Sequence, residues 1–221
     1  MGTLRQWRAY AHNWRRTLSS ERVNSRGFHA SECVRGVGDY RNVDVRDRDA
    51  IMDNLVESIR LGAIKGAVAV VDMDRYRQLK AEFVKLLGKN VQKFNNEYLL
   101  AFAECVYPST KLVKHGRIDF TFDQRPKGYL GSTPEFFDDI RTNRRVAYTN
   151  RMGKLNWGDR RRDIGLHAAD LLAYSAYRHL AVTEIPAWSK LNFASPVITM
   201  PIAEEFWGYA FEEAKSISAG P

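Results

Sequence analysis

Asp170 stands at the centre of GLHAADLLAY, residues 165–174, an otherwise apolar run. Read as a helix, it has Leu166, Ala168, Ala169, Leu171, Leu172 and Ala173 over almost all of its circumference, the pattern of a buried helix. A carboxylate in or beside a core must be paired, hydrogen-bonded or metal-bound, because leaving it charged and alone is very unfavourable. The first candidate partner is Asp123, which closes the apolar run RIDFTFD and precedes the loop QRPKG. In open α/β sheets ligands bind beyond the carboxyl ends of strands. Two ionised carboxylates share a site only around a cation or a proton, so Mg²⁺ or Mn²⁺ is the natural bridge, and such a metal polarises a phosphodiester and activates water. The competing account makes Asp123 a turn residue and hydrogen-bonds Asp170 to a backbone amide or to an arginine.

Around this pair, Asp163, His167, Asp170 and Tyr174 fall at helical spacing as one polar stripe. His167 either orients water or phosphate, or is a core histidine satisfied by a neighbour. His29 and Glu32, in FHASE, sit where a short strand would meet a helix, a place that suits capping or a ligand role. Asp72 and Asp74 also close a strand, in VVDMD, but N-capping accounts for Asp74 and both are left out of the site. There is no GxGxxG, P-loop, HExxH or GxSxG pattern.

The second chemical feature is charge. Of a net +8 over 221 residues, the window RTNRRVAYTNRMGKLNWGDRRR carries eight basic residues against Asp159, a net of +7. Its cations are Arg141, Arg144, Arg145, Arg151, Lys154, Arg160, Arg161 and Arg162. They suit a polyanion such as nucleic acid, with Tyr148 and Trp157 available to stack on bases; the plain alternative is a solvated arginine-rich surface.

Elements that position these residues alternate between helix and strand. LRQWRAYAHNWRRTL places Leu4, Trp7, Ala11, Trp14 and Leu18 on one helical stripe, and RDRDAIMDNLVESIRLG predicts a second helix with Ile51, Leu55, Val56 and Ile59 inward and Gly62 as its stop. GAVAVV, residues 66–71, reads as a strand covered on both faces. Helices follow from Arg75 to Leu87 and from Gln92 to about Val106, the latter ended by Pro108. In RIDFTFD the residues Ile118, Phe120 and Phe122 face one way and Asp119, Thr121 and Asp123 the other. STPEFFDDI seeds a helix, and the basic window holds one or two short strands.

The chain has 44% hydrophobic and 27% charged residues and no Pro/Gly/Ser-rich linker, which predicts one globular domain over residues 1–221. With no signal-peptide pattern and no apolar run near the roughly 20 residues of a membrane span, a cytoplasmic protein without a membrane partner is expected. Cys33 and Cys105 belong to no CxxC or Cys/His cluster, so reduced thiols are expected.

FHASE early, FTFD in the middle and LHAADLLAY late together resemble the family known as domain of unknown function 3800, over about residues 5–182, with 183–221 as an extension. That family shows an early His-x-Ser-Glu or His-x-Ser-Asp element, a strand closing on Asp, and a Leu-Gln-x-Ala-Asp-Leu-Leu-Ala-Tyr helix; His167 stands where it has Gln. The resemblance implies an α/β, ribonuclease H-like fold, a mixed β-sheet flanked by helices. It also implies a metal-dependent phosphodiester hydrolase acting on nucleic acid, with Mg or Mn held by Asp123 and Asp170 and with His29 and Glu32 as auxiliaries. Family members usually begin with a strand ending Asp-Glu-Ser-Gly, whereas this sequence opens on the tryptophan-bearing helix. The expectation is therefore an N-terminally incomplete chain or a degenerate member that binds without cutting. The alternative function is a non-catalytic nucleic-acid-binding or interaction protein of a mobile-element or defence system.

Overall fold

The computed structural model describes residues 2–20, 27–71, 73–87, 97–112, 115–124, 133–142, 149–181 and 198–201. They form a mixed α/β structure that is mostly helical. In chain order the elements are α1 (Leu4–Ser20), α2 (Ala30–Arg35), a 3₁₀ turn (Gly38–Tyr40), α3 (Val45–Leu61), β1 (Ala67–Val70), α4 (Met73–Leu87) and α5 (Glu97–Leu112). Then come β2 (Ile118–Asp123), α6 (Thr133–Thr142), a second 3₁₀ turn (Thr149–Arg151), β3 (Met152–Gly158), α7 (Ile164–Ala181) and β4 (Ile198–Pro201). β1 pairs with β4, and β2 with β3. Ile118 lies against Gly153 at the start of the second pair and Gln124 N–H donates to the Gly158 carbonyl at its end (2.9 Å), so β2 and β3 run parallel. Among the described residues no helix is long and apolar enough to cross a membrane.

The structure divides into two compact units. The first takes Met1–Gly66, Thr121–Gln124 and Asn156–Ile198; the second takes Ala67–Phe120, Arg125–Leu155 and Thr199–Pro221. The first boundary falls between Gly66 and Ala67, at the entry to β1, so no change of composition marks it.

In the first unit α1, α2, α3 and α7 enclose a core of Tyr10, Trp14, Phe28, Cys33, Tyr40, Ile51, Leu55, Val56 and Leu171. α3 forms as its periodicity predicts: Ile51, Leu55, Val56 and Ile59 are all buried, and the Asp44 carboxylate caps the helix by accepting from Arg46 N–H (2.9 Å). Its stop works differently from expectation. Gly62 keeps right-handed geometry and Ala63 takes the positive φ of 49°. Gly62 is needed for room instead, since a Cβ there would meet the Tyr10 Cβ at 2.9 Å.

α1 buries a face rotated from the expected stripe. Tyr10 and Trp14 are fully buried and Thr17 nearly so, while Leu4 is 68% exposed. Trp7 meets Tyr10 edge-on at 5.4 Å, and Trp14 meets Phe28 edge-on at the same distance. Such pairs add about 0.5–1.5 kcal/mol each beyond burial. The Tyr10 hydroxyl donates to the Ile164 carbonyl (3.2 Å), which lets a phenol sit where a purely apolar residue was expected; burial raises its pKa.

In the second unit Leu99, Phe102, Ala103 and Val106 of α5 bury with Phe137 of α6, Phe120 of β2 and Met152 of β3. Phe137 stacks edge-on against both Phe102 (6.2 Å) and Phe120 (5.7 Å). The expectation that Pro108 ends α5 fails, because the helix runs on to Leu112. A proline deletes one helical hydrogen bond, at about 3 kcal/mol. Buried Val106 before it and buried Ser109 and Thr110 after it supply packing that carries the helix across. Asp74 is likewise no N-cap: it lies inside the first turn of α4 and pairs with Arg77 (2.7 Å), while Asp72 is outside the described residues.

Candidate functional site

Asp170 finds its partner at the N-terminus of α2. Ala30 N–H donates to Asp170 Oδ2 at 2.7 Å, the amide-bonded arrangement that the sequence left open beside the metal pair. The residue preceding α2, His29, offers no side-chain cap of its own, so a carboxylate from α7 satisfies one of the helix's free donors. The other end is closed in the same manner. Arg48 of α3 donates through Nη1 to the Cys33 and Val34 carbonyls, both at 3.3 Å. Gly36 then leaves the helix at φ 65°, and a Cβ there would collide with the Arg48 guanidinium. A helix of only six residues is thus held at both ends by opposite charges from its neighbours.

α7 is not wrapped in apolar contacts as its sequence suggests. Ala169 and Ala173 are exposed, Tyr177 is 61% exposed, and the Asp170 side chain itself is 37% exposed. The carboxylate therefore lies beside the core rather than within it.

His29, at the start of α2, brings its Nδ1 to 3.5 Å from Asp170 Oδ2 and to 3.1 Å from Ser31 Oγ. Sequence reasoning did not single out Ser31, the serine of the FHASE element, as a site residue, and it missed Arg48, which carries no periodic or motif signal. Among the described residues no strand immediately precedes α2; His29 is extended backbone leading directly into the helix. Glu32, in the first turn of α2, lies over the 3₁₀ turn: Gly38 has φ 61°, and a Cβ on it would overlap the Glu32 carboxylate.

His167 is a satisfied core histidine, 4% exposed. Trp14 Nε1–H donates to its Nδ1 at 3.0 Å, so the proton resides on Nε2, which donates to the Arg160 carbonyl. Burial holds its pKa below the ordinary histidine value, against the pull of the Arg160 carbonyl and of Asp170 and Asp163. Its bond to Arg160 fixes the loop joining β3 to α7. In that loop the Asp159 carbonyl accepts from Arg162 and Asp163 N–H (both 2.8 Å), Asp159 Oδ1 accepts from Arg161 N–H (2.8 Å), and Asp163 Oδ2 accepts from Asp159 N–H (2.8 Å).

Two sets of candidate residues meet at this loop. On one side, Gly27 packs against Arg160 and Arg161 backbone so closely that a Cβ would sit 3.1 Å from the Arg160 carbonyl, and His29 follows two residues later. On the other side, Gln124 bonds Gly158, which puts Asp123 at the same strand end. Asp123 is half-buried and, among the described residues, shares no hydrogen bond with Asp170, His29 or Glu32. The parallel β2–β3 pair thus gives Asp123 the carboxyl-edge position expected of a ligand-binding strand.

The described cations of the basic window are divided between the two units. Arg141 pairs with Asp138 one helical turn earlier (2.8 Å), Arg151 reaches the Thr110 carbonyl (3.3 Å), and Lys154 is exposed on β3. These three belong to the second unit. Arg160, Arg161 and Arg162 are exposed on the loop of the first unit, with Arg162 a loose 3.9 Å from Asp159. Arg144, Arg145 and Tyr148 lie outside the described residues.

The donors available to a divalent cation are hard oxygens: Asp123 and the Asp170 oxygen not engaged by Ala30. That chemistry fits Mg²⁺ or Mn²⁺, which take one or two carboxylates together with substrate phosphate oxygens. Among the described residues no group of three or more His, Cys, Asp or Glu side chains is arranged to hold a metal. Cys33 and Cys105 are free thiols, and burial pushes Cys33 up to about 12, which favours its protonated form. Comparisons of the chain with protein-family models, curated proteins and solved structures return no match.

Proposed function

We propose that the chain is a ribonuclease H-like protein that binds nucleic acid at the Asp159–Arg162 loop and hydrolyses phosphodiesters beside it. One observation carries this reading: the loop of the exposed Arg160–Arg162 cations is flanked by Gly158, which Gln124 bonds next to Asp123, and is contacted by Gly27 and His167, near His29 and Asp170 in the chain. In this role the arginines hold phosphates, His29 is the proton-transfer group and Asp170 orients its ring. Mg²⁺ or Mn²⁺ would be held by Asp123 and Asp170, and when bound would supply charge to the phosphoryl oxygens.

A second reading, binding without cleavage, is favoured by the Asp170–Ala30 bond, because helix capping accounts for the carboxylate without any metal. The deciding experiment incubates the protein with single- and double-stranded DNA and RNA in Mn²⁺ or in chelator. Mn²⁺-dependent cleavage that Asp123→Asn abolishes supports the hydrolase. Salt-sensitive binding with no cleavage selects the second reading, and absence of binding refutes both.

A further inference from the structure

We infer that Trp157 and the adjoining arginine loop form a platform for single-stranded nucleic acid, with Trp157 stacking on an unpaired base while Arg160, Arg161 and Arg162 hold the neighbouring phosphates. This rests on the nucleic-acid reading above and adds the form of the strand.

Trp157 is the penultimate residue of β3 and is 36% exposed, whereas the two tryptophans of α1 are a fully buried Trp14 and a half-buried Trp7. The exposed third of this indole forgoes burial worth about 25 cal/mol per Å² of apolar surface. Its ring is braced, however: Phe122 of β2 sits 6.4 Å away, tilted by 57°. Phe122 is half-buried, so the pair presents one supported aromatic surface at the carboxyl end of the parallel strands.

Three residues further on begins the run Arg160–Arg162, all exposed, while the loop's two acids, Asp159 and Asp163, both accept backbone N–H bonds within it. The loop backbone is fixed by its Asp159 and Asp163 bonds and by His167, so its cations and the indole are presented on a rigid frame. A rigid frame lowers the ordering entropy of binding. An aromatic face next to clustered cations matches the two chemical parts of a polynucleotide, π-face and phosphate. In a duplex every base face is already stacked inside the helix, so only an unpaired strand offers one to Trp157. A purely phosphate-reading surface would have no use for the indole.

The test compares a labelled single-stranded oligonucleotide with its blunt duplex by fluorescence anisotropy. Wild type is expected to bind the single strand more tightly. Trp157→Leu should weaken that binding by about 5- to 150-fold, the range for loss of one stacked base, and leave duplex binding unchanged. Trp157→Phe keeps a π-face and should retain most of the affinity, and thermal melts of both variants establish that they fold. If Trp157→Leu folds and binds the single strand like wild type, the stacking inference is overturned, while the nucleic-acid reading survives if neutralising the three arginines still weakens binding. A wild type that binds neither oligonucleotide overturns both.

Discussion

Replacing Asp170 separates its role as a helix cap from any role as a metal ligand. Asp170→Ala removes a charge-assisted acceptor from Ala30 N–H, a 2.7 Å bond. Bonds to charged groups are worth about 1.5–3 kcal/mol and N-cap losses run about 0.5–2 kcal/mol. Two corrections lower the figure. The side chain is 37% exposed, so solvent screens part of the charge, and alanine is the better helix former inside α7 by about 0.5 kcal/mol. The expected net loss is about 1 kcal/mol, which lowers the melting temperature by about 2–4 °C in a chain of this size. Asp170→Asn keeps an acceptor oxygen and gives up only the charge–dipole part, about 0.5 kcal/mol.

The assay is urea and thermal unfolding, first in chelator and then in millimolar Mn²⁺. In chelator the order of stability should be wild type, Asn variant, Ala variant. An Ala variant as stable as wild type in chelator would refute the capping account. If the carboxylate also holds metal, Mn²⁺ stabilises wild type by mass action, about 2.7 kcal/mol at a concentration one hundred times Kd, and neither variant gains as much. Mn²⁺ without effect on wild type would remove the metal from the proposal while leaving the cap intact.

Stability should also fall as pH drops below about 6.5, because the unfolded chain then takes up a proton on His167 that the folded chain, with its lowered pKa, refuses. The stability is fully present above that pH and is lost on the way down to the folded pKa; His167→Gln should flatten this part of a melting-temperature profile, and an unchanged profile would contradict the buried neutral tautomer. Substituting Gln for Arg160, Arg161 and Arg162 should reduce the slope of log affinity for nucleic acid against log salt by about 2–3, and an unaltered slope would move phosphate contact elsewhere. Gly38→Ala forces a β-carbon into positive φ and against Glu32, so it should lose at least about 1 kcal/mol in denaturant titration, more than Gly116→Ala, which has positive φ but open space.

What the sequence reveals of this fold depends on how far away the deciding contact lies. α3 is legible because its inward residues are aliphatic and strictly periodic, and β2 because alternation alone separates its faces. α1 is misread by a fraction of a turn: Trp7 and Trp14 belong to both candidate stripes, and Leu4, Ala11 and Leu18 look more apolar than Tyr10 and Thr17. The choice is made by the Ile164 carbonyl, 154 residues away, which satisfies the Tyr10 hydroxyl and lets the larger ring fill the core. His167 and Asp170 are still less legible, since Trp14 lies 153 positions from the one and Ala30 140 positions from the other.

The same long-range bonds explain why α7 carries a polar stripe at all. Asp163, just before the helix, ties back the loop, while His167 joins that loop to α1 and Asp170 caps α2, so three polar positions at helical spacing each hold a different neighbour. The type of residue at 170 is then set by α2 before any substrate is considered: an acceptor is needed there, and a negative one complements the helix dipole and draws His29 within 3.5 Å. A carboxylate in an apolar helix is thus a sign of a partner, and the partner can be an amide as readily as a cation. Only the stability or activity that Asp170 confers in Mn²⁺ over and above chelator bears on catalysis, and Asp123, which caps nothing among the described residues, is the cleaner position at which to look for it.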